Sequence, residues 1–189
     1  CDAARDRLCL ASPQQTLALR VPDLALLWQP PGPGGDGPRL VLDRAGDRIF
    51  AYADSIRGRP GSLLAFTTAT GEPLPAPQSP AGSEWQLIAA DSAAGRLLFA
   101  EPRTPQTRLW QADPAGRPNG VETTVEGYAQ VFAGPGDRVA VLLSESHSLR
   151  ALDAADLRAS GETALGIELR HLAADAAQGR VYLNDSAGR

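Results

Sequence analysis

Residues Leu40 to Pro75 read LVLDRAGDRIFAYADSIRGRPGSLLAFTTATGEPLP. Apolar runs of three to five residues alternate with polar turns in this stretch: Leu40–Leu42, Ile49–Ala53 and Leu63–Phe66, with a weaker run from Leu74. Runs this short, bounded by Gly, Pro, Asp and Ser, read as strands rather than helices. The stretch predicts a four-stranded antiparallel meander. Its turns fall at Asp43–Arg48, in a Gly/Pro loop from Ser55 to Gly61, and at Thr70-Gly71-Glu72.

The segment Gly46-Asp47-Arg48-Ile49-Phe50 sets a register that recurs along the chain. Its copies are Gly95-Arg96-Leu97-Leu98-Phe99, Gly136-Asp137-Arg138-Val139-Ala140 and Gly179-Arg180-Val181-Tyr182-Leu183, with a worn copy at Asp6-Arg7-Leu8-Cys9-Leu10. The arginines are 41, 48, 42 and 42 residues apart, and the long interval contains the Pro-rich tract Pro73–Pro80. An apolar run and a polar turn precede each later copy: Leu87–Ala90, Val131–Ala133 and Leu172–Ala174. A third apolar run follows each of the first four: Thr16–Val21, Leu63–Phe66, Leu109–Gln111 and Leu149–Leu152, and after the first of these a fourth strand is expected at Leu24–Gln29. Ala151–Leu157 has helical composition, but sibling copies carry Pro-Ala-Gly or Ala-Thr-Gly turns there, so it reads as a turn.

Four strands in a period near 42 residues are the signature of a β-propeller. The copies resemble the YVTN-type (seven-bladed-like) bacterial propeller repeat, an Asp-x-x-Gly-x-Arg turn between apolar strands. The likeness runs from Arg7 to Asn184, and the Tyr-Val-Thr-Asn core is degraded to Phe50-Ala51-Tyr52-Ala53-Asp54 and Val181-Tyr182-Leu183-Asn184-Asp185. The expected fold is therefore all-β: a propeller of four-stranded antiparallel blades in one domain over 1–189. Its parts are a partial blade at 7–30, full blades at about 39–79, 85–126 and 128–168, and a partial blade at 169–189. The chain opens on a second strand and ends on another second strand. It is then part of a longer propeller of about six to eight blades, a four-bladed ring, or a half-blade completed by a neighbouring chain.

Composition narrows function by exclusion. The net charge is −4 and all 18 basic residues are arginine, without a dense basic stripe, which argues against nucleic-acid binding. No apolar run approaches the roughly 20 residues a membrane-spanning helix needs. Cys1 resembles the lipid-carrying first residue of a processed bacterial lipoprotein, which implies a periplasmic or extracellular location with membrane contact only through that anchor. Cys9, in Leu8-Cys9-Leu10, reads as a buried small residue, and a Cys1–Cys9 disulfide is an alternative to lipidation.

No catalytic constellation is expected and no cofactor. His147 and His171 occupy different repeat positions, so neither a metal pair nor a base–nucleophile pair with Ser144, Ser146 or Ser148 is expected. Pro33-Gly34-Gly35-Asp36-Gly37 lacks the Lys-Ser/Thr of a phosphate loop, precedes a strand and reads as a flexible loop. Asp43, Asp91 and Asp175 read as turn caps, and the repeated arginines as structural. The loops between second and third strands differ between copies and gather at one mouth, joined there by the connections Pro30–Pro38 and Pro73–Gly82. Arg57, Arg59, Arg103 and Arg108 on those loops are the candidate site for an anionic ligand or acidic protein partner. The leading function is a non-catalytic binding scaffold of the bacterial envelope. The alternatives are a piece of a lactonase-like or quinoprotein-like propeller enzyme, and a subunit that assembles through an open blade edge.

Overall fold

A computed structural model describes residues 6–35, 37–43, 47–53, 62–77, 85–91, 93–103, 105–133, 137–143, 146–165, 169–175 and 180–185. The seventeen strands it contains are β1 (Arg7–Ala11), β2 (Thr16–Arg20), β3 (Leu26–Trp28), β4 (Arg39–Leu42), β5 (Arg48–Ala53), β6 (Ser62–Thr67), β7 (Pro73–Leu74), β8 (Gln86–Asp91), β9 (Arg96–Arg103), β10 (Gln106–Ala112), β11 (Pro118–Glu126), β12 (Ala129–Ala133), β13 (Arg138–Leu143), β14 (Ser148–Asp153), β15 (Ala159–Ala164), β16 (Leu169–Asp175) and β17 (Arg180–Asp185). Each repeated arginine is the first residue of its strand, β1, β5, β9, β13 and β17. Sheets β4–β7, β8–β11 and β12–β15 are four-stranded meanders. Among the described residues, sheet β1–β3 has no first strand and sheet β16–β17 holds a first and a second strand only. The fold is that of a β-propeller, three full blades and a partial blade at each end.

By contact the chain divides into two units, Cys1–Leu98 with Ala112–Asn119, and Phe99–Gln111 with Gly120–Arg189. In the first unit, Cys9 pairs with Ala18 and Ala18 with Trp28, which places all three on one face of the first sheet. That face packs on Ile49, Ala51 and Phe66 of the next sheet, with Leu40 and Leu64 beside them. Cys9 is thus half-buried against an apolar cluster, as its sequence neighbours predict. Further along the unit, Tyr52 stacks on Trp85 with ring centroids 6.1 Å apart. In the second unit Phe99 stacks on Trp110 at 4.4 Å, and Leu109, Val139 and Val141 are fully buried.

The turns after β2, β6 and β14 show how the repeat is built. The backbone N–H of Leu24 donates to Arg20 O at 2.8 Å, Gly71 to Thr67 O at 3.0 Å, and Leu157 to Asp153 O at 2.8 Å. These three residues are homologous and all lie in the left-handed region, at φ 56°, 71° and 57°. Glycine suits that conformation and leucine is strained in it. The side chains separate the two leucines: Leu24 is 58% exposed and Leu157 is 2% exposed. Leu24→Gly is therefore expected to raise stability by about 0.5–1 kcal/mol through relief of strain. Leu157→Gly is expected to cost about 2 kcal/mol, because the lost burial exceeds the relief. Urea denaturation of both variants checks the pair, and a change of the same sign in both would sink the argument.

Three expectations are corrected. The fourth strand of the first sheet begins at Leu26, not Leu24, because Leu24 closes the preceding turn. The connection through Pro33 and Gly34 is pinned, not a plain loop: Gly32 N–H donates to Gln14 O and Gly34 N–H to Pro13 O, each at 2.8 Å, and Ser62 Oγ donates to Pro33 O. Arg103 ends β9 and Arg108 lies inside β10, so neither is a loop residue; the two strands run on until only 104 and 105 join them.

Candidate functional site

The first unit brings the blade connection Pro30–Gly34 beside the β1–β2 turn, where Thr16 N–H donates to Pro30 O at 3.0 Å. The second unit repeats the arrangement, with Gly127 N–H donating to Pro105 O at 2.7 Å in the β9–β10 turn. Buried Thr107 fixes this junction: its Oγ donates to Gly127 O at 3.2 Å and accepts from Ala129 N–H at 3.1 Å. Turns between second and third strands and links between blades thus share one end within each unit, as the repeat predicts.

At that end of the second unit a groove of about 440 Å³ opens between β11 and the β13–β15 meander. Thr124 and Glu126 come from β11, Leu143 from the end of β13, Ser146 from the following turn, Arg150 from β14 and Glu162 from β15. Alternation along β11 puts Thr124 and Glu126 on its outward face, while Val125 between them is buried. Arg150 and Glu162 are direct cross-strand partners. Arg150 Nε and Nη2 both lie 2.9 Å from Glu162 Oε2. Ser148 Oγ donates to Glu162 Oε1 at 2.7 Å, and Ser146 and Ser148 hydroxyls lie 2.8 Å apart. Both oxygens of Glu162 are thereby engaged. Among the described residues Glu126 has no hydrogen-bond or ion-pair partner, so it faces the groove with its charge unmatched.

The Ser148 hydrogen bond, and after it the Arg150 guanidinium, hold the Glu162 carboxyl below the usual carboxylate range. A depressed carboxyl stabilises the fold above its unfolded-state pKa, and that contribution is lost as pH falls through the folded value. Ser148→Ala and Arg150→Ala are each expected to move the Glu162 midpoint upward, since each removes a group that favours the charged carboxylate. Carbon-detected NMR titration of the Glu162 carboxyl checks this, and a midpoint left unmoved by either substitution would refute that residue's share.

The sequence-predicted residues fare differently. Cys1, Arg57 and Arg59 lie outside the described residues, as do Ser144 and the loop 54–61. Arg103 is placed only as the last residue of β9. Arg108 Nε donates to Glu122 Oε2 at 3.1 Å, its Nη2 contacts the same oxygen, and its Nη1 lies 3.7 Å from buried Glu101. Its charge is balanced within its own sheet. Asp91 caps its turn by accepting from Ala94 N–H at 2.9 Å and pairs with Arg96 at 3.4 Å, the structural role expected of both. Arg7 instead donates to Thr68 O in the next blade. His147 occupies the β13–β14 turn at φ 47° and His171 lies in β16. Among the described residues no three His, Cys, Asp or Glu converge to hold a metal. Sequence reasoning missed Thr124, Glu126, Arg150 and Glu162. The signal for the last two was the third-to-fourth-strand hairpin, whose register carries a bulge between Ala151 and Leu152.

No family model and no curated protein matches the sequence. Solved structures do. A protein of unknown function from Bacteroides caccae matches with a TM-score of 0.57 at 15% identity, over 95% of this chain and 64% of that one. A chain of a mitotic checkpoint complex matches at 0.60 and 13% identity, over 95% and 56%. The β-propeller domain of Myceliophteria thermophila Cps50 (Swd1) matches at 0.60 and 12% identity, over 96% and 59%. The likeness is one of fold. The chain spans roughly three fifths of the length of these structures, between 56% and 64%.

Proposed function

We propose that this protein is a non-catalytic binding scaffold that holds a protein partner in the groove between β11 and the β13–β15 meander. The groove carries this reading: it joins an apolar wall at Leu143, hydroxyls at Thr124 and Ser146, and two carboxylates against one guanidinium. With Arg150 matched by Glu162, the unmatched charge is that of Glu126, so the complementary group is a basic side chain whose hydrocarbon stem lies along Leu143. This differs in sign from the acidic partner expected for Arg57, Arg59, Arg103 and Arg108. A propeller chain within a mitotic checkpoint complex, among the matched folds, supports a protein as the class of partner.

Selection of random phage-displayed peptides on the wild-type protein tests the reading. The expected peptides contain Lys or Arg, bind Glu126→Gln about tenfold more weakly, as losing about 1.4 kcal/mol implies, and fail to bind Ser146→Trp, which fills the groove. Peptides that bind all three proteins equally would overturn it.

A further inference from the structure

Tyr128 stands beside the groove with most of its surface in water. It is 58% exposed, and a single glycine separates it from Glu126. The backbone on both sides of it is fixed. Gly127 N–H donates to Pro105 O at 2.7 Å. Buried Thr107 Oγ donates to Gly127 O at 3.2 Å and accepts from Ala129 N–H at 3.1 Å. Ala129 in turn is the direct cross-strand partner of Leu143. Tyr128 therefore lies on the short span that joins the acidic wall of the groove to its apolar wall. Its Cα is within about 7 Å of that of Glu126, two residues along the chain. Holding the backbone of an exposed aromatic in place lowers the ordering that a partner must impose on binding. Tyrosines are enriched among the residues that anchor protein partners.

Glu126 offers the groove an unmatched carboxylate, and Tyr128 offers the negative face of its ring. One cation can meet both. We propose, resting on the groove reading above, that the basic side chain held there is an arginine. Its guanidinium stacks on the Tyr128 ring and hydrogen-bonds to the Glu126 carboxylate, with its hydrocarbon stem along Leu143. A guanidinium is planar and weakly hydrated, so it covers a ring while its N–H donors reach a carboxylate. A lysine ammonium is a compact, strongly hydrated charge that gains the carboxylate and less of the ring. Glu126 thus sets the sign of charge accepted, and Tyr128 sets the choice between the two basic side chains. Arg150 does not repel the incoming guanidinium, since its own charge is matched by Glu162 at 2.9 Å.

NMR titration of the isotope-labelled protein with N-acetyl-arginine methylamide, its lysine analogue and its uncharged citrulline analogue tests this, and the amide spectrum of each variant verifies its folding. Wild type is expected to bind the arginine compound about threefold more tightly than the lysine compound, the scale of an exposed cation–π contact. The citrulline compound, which lacks the charge, is expected to bind more weakly than either. Tyr128→Ala is expected to remove the preference for arginine while both cations still bind. Tyr128→Phe, which keeps the ring, is expected to retain it, and Glu126→Gln to weaken both cations. Equal binding of the arginine and lysine compounds by wild type, or a preference that survives Tyr128→Ala, overturns the arginine assignment; the groove reading then stands as long as Glu126→Gln weakens binding. Binding unmoved by both Glu126→Gln and Ser146→Trp overturns the groove reading and the assignment with it. A wild-type protein that binds none of the three compounds overturns the assignment, and the selected peptides then decide the groove by themselves.

Discussion

Trp28→Ala is expected to lower stability by about 3–5 kcal/mol, the range for truncating a large buried aromatic. Trp28 is the only aromatic residue the first sheet offers to the next, and it is only 8% exposed. Its ring fills the cluster with Ala18, Ile49, Ala51 and Phe66. It also lies over Gly71 so closely that a Cβ there would come within 2.8 Å of the indole. At the ring edge, Nε1–H donates to Thr68 O at 3.1 Å, and Arg7 donates to the same carbonyl. Trp28→Phe separates the two contributions. It keeps most of the apolar area and removes one donor from a carbonyl that retains Arg7, so its cost is about 1 kcal/mol plus a smaller packing loss. Urea denaturation of wild type, Trp28→Phe and Trp28→Ala gives the series. Equal losses in both variants would place the energy in the hydrogen bond and refute the packing argument.

Gly32→Ala is expected to cost about 3 kcal/mol, at the upper end of what overpacking usually does. Gly32 does not owe this to a left-handed backbone. A Cβ at Gly32 would meet Gln15 N and Ser12 O at 2.4 Å and Pro13 O at 2.7 Å, all main-chain atoms of the β1–β2 turn. No rotamer change relieves such contacts, so the connection or the turn must shift. That movement would break the bonds Gly32 N–H to Gln14 O and Gly34 N–H to Pro13 O. Gly34 supplies the control. It sits at φ +71° with nothing within 4 Å of its missing Cβ, so Gly34→Ala is expected to cost only the backbone strain, about 1 kcal/mol. Thermal unfolding of the two variants side by side decides the matter. A Gly34→Ala loss as large as that of Gly32→Ala would show that backbone conformation, not the close approach, limits this segment.

The architecture was legible because the repeat marks strand starts with a charged residue at the end of a polar turn. Arg48, Arg96, Arg138 and Arg180 each open the strand the spacing assigns, and the apolar runs fall inside β4, β6, β8, β12, β14 and β16. Alternation and turn chemistry are local, so a single sequence carries them. The groove was not legible, since it depends on which residues face each other across strands. Arg150 meets Glu162 through a hairpin register that a bulge displaces by one residue, and nothing near either residue announces the bulge. Arg108 misled for a related reason. Its neighbours Pro105, Gln106 and Thr107 have the composition of a loop, but β10 extends to Gln106 because Thr107 anchors it to Gly127 and Ala129. The side-chain hydrogen bond of Arg7 to Thr68 likewise joins residues 61 positions apart.

The grip between successive blades has a bearing on ancestry. Thr68 and Ala154 are homologous: their N–H groups donate to Asp47 O and Asp137 O, each at 3.0 Å. Their carbonyls receive the preceding blade, Thr68 from Arg7 and Trp28, Ala154 from Gln111 at 2.6 Å. Since the acceptor is main chain, both copies present it although different residues stand there. The donor need only reach it, and an indole, a guanidinium and a carboxamide all do. Two copies can then diverge at both positions without losing their grip, and a duplicated copy arrives already able to engage its neighbour. Selection on such a chain preserves spacing more strictly than residue identity, which fits a fold shared with distant proteins at 12–15% identity.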